Sequence, residues 1–214
     1  MTKIAVCIPT RGLVFSRTIE SLLKNLEGLD YRILFTYGLP IPDSHNTVVK
    51  DALDIDGVSH ILILEEDMVI PDGVLKEMLK MDKQVICVDY AVNGGYSTIC
   101  RKKGEILWCG LGCLLVKKEV FDKIKEPWFE NNRTLRILDK NKLEYIIEDI
   151  PNKYGGHDIL FGLKLKEVGI PITQLEGFEC EHLKIKDYNS KQGNNGCHLI
   201  DNSLKVKYKQ NYDI

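Results

Sequence analysis

The chain has 214 residues, 44% of them apolar, enough to bury the core of one large domain or two small ones. A formal charge of -2 and a pI near 6.2 exclude a general surplus of Lys and Arg for neutralising nucleic-acid phosphates. The start MTKIAVCIPTRG has no charged leader before a long apolar stretch, and no segment reaches the ~18 apolar residues of a membrane span, so a cytoplasmic protein with no membrane anchor is expected.

In chain order, the apolar run Lys3 to Ile8 reads as a strand stopped by Pro9. Phe15, Ile19, Leu22, Leu23 and Leu26 then follow at helical spacing before Gly28. Tyr31 to Thr36 predicts a second strand, and Asp43 or Ser44 is expected to cap a helix carrying Val48, Val49, Ala52 and Leu53. His60 to Leu64 predicts a third strand, which runs into the acids Glu65, Glu66 and Asp67. Asp72 is expected to cap a helix bearing Leu75, Met78 and Leu79, and Val85 to Asp89 makes a fourth strand.

Strands with near-continuous apolar runs, alternating with amphipathic helices, indicate a mainly parallel sheet covered on both faces. Ligands of such sheets bind at the carboxyl ends of the strands. The loop Pro9-Thr10-Arg11-Gly12, the segment Pro42 to Asn46 and the acidic block all fall there, so they are expected to converge.

Beyond residue 90 the pattern changes to loops and short strands through 117, including Trp108-Cys109-Gly110-Leu111-Gly112-Cys113. A short helix over 118–124 follows, then a hairpin over 136–145 around a polar turn and a helix from Gly156-His157-Asp158 to Val168. The result is a single α/β domain with an alternating strand–helix half at 1–90, a smaller mixed β region within 91–186 and a polar tail at 187–214. The seven cysteines are an odd number lying mostly in apolar runs, which reads as buried thiols in a reducing compartment rather than a disulfide framework.

Three adjacent carboxylates at the end of a buried strand repel one another unless a cation or hydrogen-bond donors compensate them. Read as Glu65-x-Asp67, they match the DxD pattern, with one carboxylate on a divalent metal and the other on a ribose hydroxyl or reaching the metal through water. Hard oxygen ligands suit Mg2+ or Mn2+, which bridge nucleotide phosphates. The plainer reading is a solvated strand end that caps the next helix. Gly110 and Gly112 permit close backbone approach to a sugar or mark a strand irregularity. Trp108, Trp128 and Phe129 are either core or a stacking surface for a sugar ring, and Asp89 is a reserve sugar contact. Cys180-x-His182 with Cys197-His198 offers a structural zinc alternative, although paired C-x-x-C spacing is missing.

The order of these features resembles the GT-A-fold, nucleotide-sugar-dependent glycosyltransferases of the family 2 type. The likeness rests on Ile8-Pro9-Thr10-Arg11-Gly12, the acidic block, Gly110-Leu111-Gly112-Cys113, Pro127-Trp128-Phe129, Gly156-His157-Asp158-Ile159-Leu160-Phe161 and the late His182. It implies a Rossmann-like sheet, a nucleotide-binding half at 1–90 with an acceptor and metal-completing half at 91–186, and donor binding by Pro9, Thr10, Arg11, Asn46, Glu65, Glu66 and Gly112. It also implies Asp67 and His182 as ligands of Mn2+ or Mg2+, and Asp158 as the base that deprotonates an acceptor hydroxyl. The donor implied is a UDP-sugar, and the acceptor a protein, a small molecule or a modified nucleic-acid base. His157 departs from the Glu that many relatives carry before this aspartate, which leaves the acceptor side open. Two other readings stand beside this one: a nucleotidyltransferase, although the glycine-rich first loop is absent, and a non-catalytic binder of nucleotide sugars.

Overall fold

A computed structural model of the chain describes residues 2–92, 95–131 and 156–184 in full, and the backbone alone at 133–139, 144–149, 185–186 and 199–200. Strands β1 (Lys3–Pro9), β2 (Asp30–Thr36) and β3 (Val58–Leu64) alternate with helices α1 (Ser16–Leu26) and α2 (Asp43–Leu53). The two-residue β4 (Met68–Val69) precedes α3 (Val74–Met81) and β5 (Val85–Tyr90). The hairpin of β6 (Cys100–Lys102) and β7 (Glu105–Trp108) leads to β8 (Cys113–Lys117) and α4 (Lys118–Lys123). Next come β9 (Arg133–Asp139), β10 (Glu144–Asp149), α5 (His157–Glu167) and the long β11 (Ile172–His182). Finally, β12 (Ile185–Lys186) pairs antiparallel with β13 (Leu199–Ile200).

Seven strands form the central sheet in the order β2-β1-β3-β8-β5-β11-β4. The parallel pairings β1/β2, β1/β3 and β5/β11, with β8 antiparallel between β3 and β5, leave five strands running one way against β8 and β4. The expected α/β fold with a mainly parallel sheet is therefore present. The expected hairpin is also present as the antiparallel pair β9/β10.

Strand side chains alternate between faces, and the buried runs divide accordingly. On one face Ala5, Cys7, Ile61 and Ile63 pack with Val48 and Val49 of α2, Phe121 of α4 and Phe161 of α5. On the other, Ile4, Val6, Ile8, Leu62 and Leu64 pack with Leu22 and Leu26 of α1 and with Val74, Leu75 and Met78 of α3. A sheet apolar on both faces explains why these strands carry continuous hydrophobic runs.

The expected helix caps are corrected. The N-cap of α2 is Pro42 with no side-chain cap bond, so Asp43 and Ser44 lie inside the first turn. Likewise α3 begins after Gly73, at φ 77°, rather than on Asp72, whereas α5 begins after Gly156, at φ 87°, where it was expected. In both cases the chain enters the helix through a left-handed residue, a conformation glycine adopts at little cost.

Trp128 and Phe129 are core, at 3% and 0% exposure, which overturns a stacking role for either. Phe129 stacks on Phe161 at 5.0 Å, and the Trp128 Nε1–H donates to the Phe121 carbonyl. Trp108 is buried as well, in a small cluster with Cys100 and Leu107. The six cysteines within the described residues are buried and free. Cys197 and His198 of the zinc alternative, and nearly all of the polar tail, lie outside the described residues. Among the described residues no helix is long and apolar enough to cross a membrane.

Candidate active site

The carboxyl ends of β1, β3 and β11 and the start of α2 enclose a cavity of about 500 Å³. Seven of the residues singled out from sequence line it: Pro9, Thr10, Arg11, Glu65, Glu66, Asp67 and His182. Leu39, Pro40, Ile41, Ser44 and His45 complete the wall. Asn46, Gly112 and Asp158 are not part of this lining.

Asp67 and His182 are 115 positions apart and meet through main-chain pairing. At the end of the sheet β4 runs antiparallel to β11, with Met68 opposite His182, and Leu183 N–H donates to the Asp67 carbonyl at 2.8 Å. A bulge sets up this meeting. Between Gln174 and Glu179 β11 advances five residues while β5 advances two, from Cys87 to Asp89, and Gly177 takes φ 80° within the excess. The extra residues re-aim the strand end toward β4.

His182 Nδ1 lies 3.3 Å from the Ala91 carbonyl, to which it can only donate, so in the neutral ring Nε2 presents a lone pair to Asp67 Oδ2 at 3.2 Å. Two acceptors then face each other unless a proton or a cation lies between them. Burial disfavours the imidazolium, but the Asp67 hydrogen bond and charge outweigh it and raise the His182 pKa. The 3.2 Å separation also matches the edge of about 3 Å between neighbouring ligands of one octahedral Mg2+ or Mn2+. A histidine anchored by a backbone carbonyl at its far nitrogen is the usual posture of a metal-binding imidazole. These two residues therefore fit a shared divalent ion.

The three acids are not equivalent. Glu66, 7% exposed, accepts from the Thr10 hydroxyl at 2.5 Å, from Arg11 N–H at 2.9 Å and from Arg11 Nε–H at 2.5 Å, and it is ion-paired with the Arg11 guanidinium. Its carbonyl accepts from Phe15 N–H and the Thr18 hydroxyl. Glu66 thus clamps the loop between β1 and α1, a role that local sequence pattern does not signal. Burial, and then Asp67, push the Glu65 carboxyl up to about 7. Among the described residues Glu65 has no such set of donors, and its Oε1 lies 4.0 Å from His45 Nε2.

Other residues highlighted by sequence are engaged within the protein. Asn46 Nδ2 donates to the Phe129 carbonyl at 2.9 Å and its Oδ1 accepts from Phe129 N–H at 3.1 Å, which ties α2 to that turn. Asp89 accepts from Ser97 Oγ, Thr98 Oγ1 and the N–H groups of Tyr90 and Thr98. Gly112 is filled over by Tyr90, whose hydroxyl accepts the Gly112 N–H at 3.2 Å. Asp158, in the first turn of α5, accepts from Ile159 N–H at 2.9 Å. Burial raises its pKa against the opposing pull of His157, and its charge is felt at Glu65 and Tyr90, so it stands just behind the cavity wall.

No protein-family profile matches the chain. No curated protein matches it. Among solved structures, A197 from STIV aligns over 87% of this chain and 88% of its own at 19% identity, with a TM-score of 0.60, so the two share a fold. A candidate glucose-1-phosphate thymidylyltransferase from Bacillus anthracis, in complex with sucrose, aligns at 11% identity over 81% of this chain and 85% of its own, TM-score 0.46. An inositol-1-phosphate CTP transferase from T. maritima aligns at 9% identity over 85% and 88%, TM-score 0.47. The last two are nucleotidyl-type transferases, and none of the three is described as a glycosyltransferase. At TM-scores below 0.5 those two likenesses decide nothing about activity.

Proposed function

We propose that the chain is a divalent-cation-dependent transferase for a nucleotide-linked substrate, and that its reaction is transfer of a sugar from a UDP-sugar to an acceptor hydroxyl. The observation that carries this reading is the Asp67–His182 pair, two acceptors 3.2 Å apart at the mouth of a cavity at the carboxyl ends of the strands. Asp67 and His182 would hold Mn2+ or Mg2+, which when bound neutralises the charge of a leaving diphosphate.

The remaining work falls to side chains. The loop Pro9-Thr10-Arg11, held by Glu66, borders the nucleoside, and Glu65 accepts from a ribose hydroxyl. Asp158, kept basic by burial, accepts the proton of the attacking hydroxyl. Residues 1–90 then hold the nucleotide, while 91–186 supply the base and the second ligand of the ion.

Nucleotidyl transfer is the second reading, favoured by the position of Arg11 directly after β1 at the cavity wall. One experiment separates the two. The protein is incubated with Mn2+ and either a panel of nucleotide sugars or a nucleoside triphosphate plus a sugar phosphate, and the released products are measured. Nucleoside diphosphate release supports sugar transfer, and pyrophosphate release supports the second reading. Absence of both, with no nucleotide binding under any divalent ion, would sink the transferase proposal. Asp158→Asn is expected to keep donor binding and to lower transfer by ~10²-fold or more.

A further inference from the structure

At the wall of the cavity His45 and Glu65 meet His157, which stands behind them, and among the described residues neither imidazole has a hydrogen-bonding partner. His45 is the third residue of α2, Glu65 follows β3 and His157 opens α5. His45 is 1% exposed, and neither ring nitrogen of His45 or of His157 has a hydrogen-bond partner among the described residues. Buried polar groups nearly always have partners, so four orphaned nitrogens in two touching rings require an explanation. One ligand atom from each of His45, Glu65 and His157 lies within 4.8 Å of the others. The two ring centroids are 4.8 Å apart and tilted by 57°, so the rings are not stacked face to face and can turn their edges toward a common point.

We propose that His45, Glu65 and His157 form a site for a borderline divalent transition metal of the zinc class, distinct from the hard-cation pair Asp67–His182. Two imidazoles and one carboxylate are the donor set of three-ligand zinc sites, which leave a fourth position open. Ligand atoms around a tetrahedral zinc stand about 3.4 Å apart, so small side-chain rotations close the present gaps. The three residues sit at the ends of packed elements, which fixes their backbones. Because His45 and Glu65 line the cavity, the open position faces the space assigned to substrate. Burial drives both imidazoles toward the neutral, lone-pair form that binds metal, and His157 adds to the effect at His45.

This inference does not depend on the sugar-transfer reading, and its test is separate. The full chain, stripped with chelator, is titrated with Co2+ as a spectroscopic stand-in for Zn2+. One equivalent is expected to give the visible absorption of tetrahedral Co2+, without the near-ultraviolet thiolate charge transfer of a cysteine site, and one equivalent of Zn2+ should abolish it. His157→Gln should weaken Co2+ by at least ~100-fold, more than the ~10–100-fold typical of losing an outer partner alone. His157→Cys, which restores a ligand, should bind and should add the thiolate band. Asp67→Asn should leave the spectrum in place while removing Mn2+-dependent nucleotide binding, so failure of one site is distinguishable from failure of the other. A wild-type spectrum with no tetrahedral band, a thiolate band in wild type, or wild-type affinity in folded His157→Gln would each overturn the proposal.

Discussion

A methyl group added at Gly112 would lie 2.7 Å from the Tyr90 ring and 2.8 Å from Met68 Sδ, distances that real Cβ atoms do not tolerate. The glycine therefore serves close packing: it lets the Tyr90 ring lie directly over the backbone there. Gly112→Ala is expected to destabilise the fold by about 1–3 kcal/mol, read as a lower urea midpoint, because the Tyr90 ring that meets the added methyl is itself buried in the core. The sequence signalled that something approaches Gly112 closely, but not that a tyrosine 22 residues earlier does so. A second residue-level expectation concerns acid. Partial burial, and then Lys117, hold His60 below its ordinary value of 6.5, so the unfolded chain binds this proton more readily than the folded one. The stability linked to His60 is present above 6.5 and is lost as pH falls through that value toward the folded one. His60→Gln should therefore lose less Tm than wild type between about pH 7 and about pH 5.

Among the elements, the loop from β1 to α1 depends on one buried carboxylate. Glu66 receives donors from Thr10 and Arg11 and, through its carbonyl, from Phe15 and Thr18, so it joins the ends of β1 and β3 to the start of α1. Glu66→Ala should cost about 1–3 kcal/mol in chemical denaturation, since the nearly buried Thr10 hydroxyl and the Arg11 N–H lose their acceptor. A variant as stable as wild type would remove this anchoring role. Helices and strands themselves were legible, because their apolar spacing is local and each buries a face against a neighbour. The short strand ending at 117 was read, but the central antiparallel place of β8 was not, and neither was the two-residue β4, since partners distant in sequence define both. Helix entry also escaped prediction at α2 and α3: acidic residues near the start suggested side-chain caps, and the chain instead enters through Pro42 and Gly73, whereas α5 opens after Gly156 as its sequence suggested.

For the molecule as a whole, ligand and fold are linked by mass action. If Mn2+ and a uridine diphosphate bind the folded cavity only, free ligand at a hundredfold excess over Kd should stabilise the chain by about 2.7 kcal/mol, seen as a raised Tm that chelator reverses. Asp67→Asn should abolish the shift while melting near the wild-type temperature without ligand. The sequence alone determined the α/β class, the alternation of elements around a doubly covered sheet, and the convergence of Pro9 to Arg11 with Glu65 to Asp67 at the strand ends. These follow from local hydrophobic period and from the rule that parallel strands point their carboxyl ends the same way. Only the tertiary structure decided which acid does what. Glu66 turns inward to hold a loop, Asp67 is carried against His182 by a bulged strand, and Glu65 is left facing His45 and His157. Three neighbouring carboxylates are chemically alike in the chain; the groups packed against them, brought from up to 115 residues away, make them different.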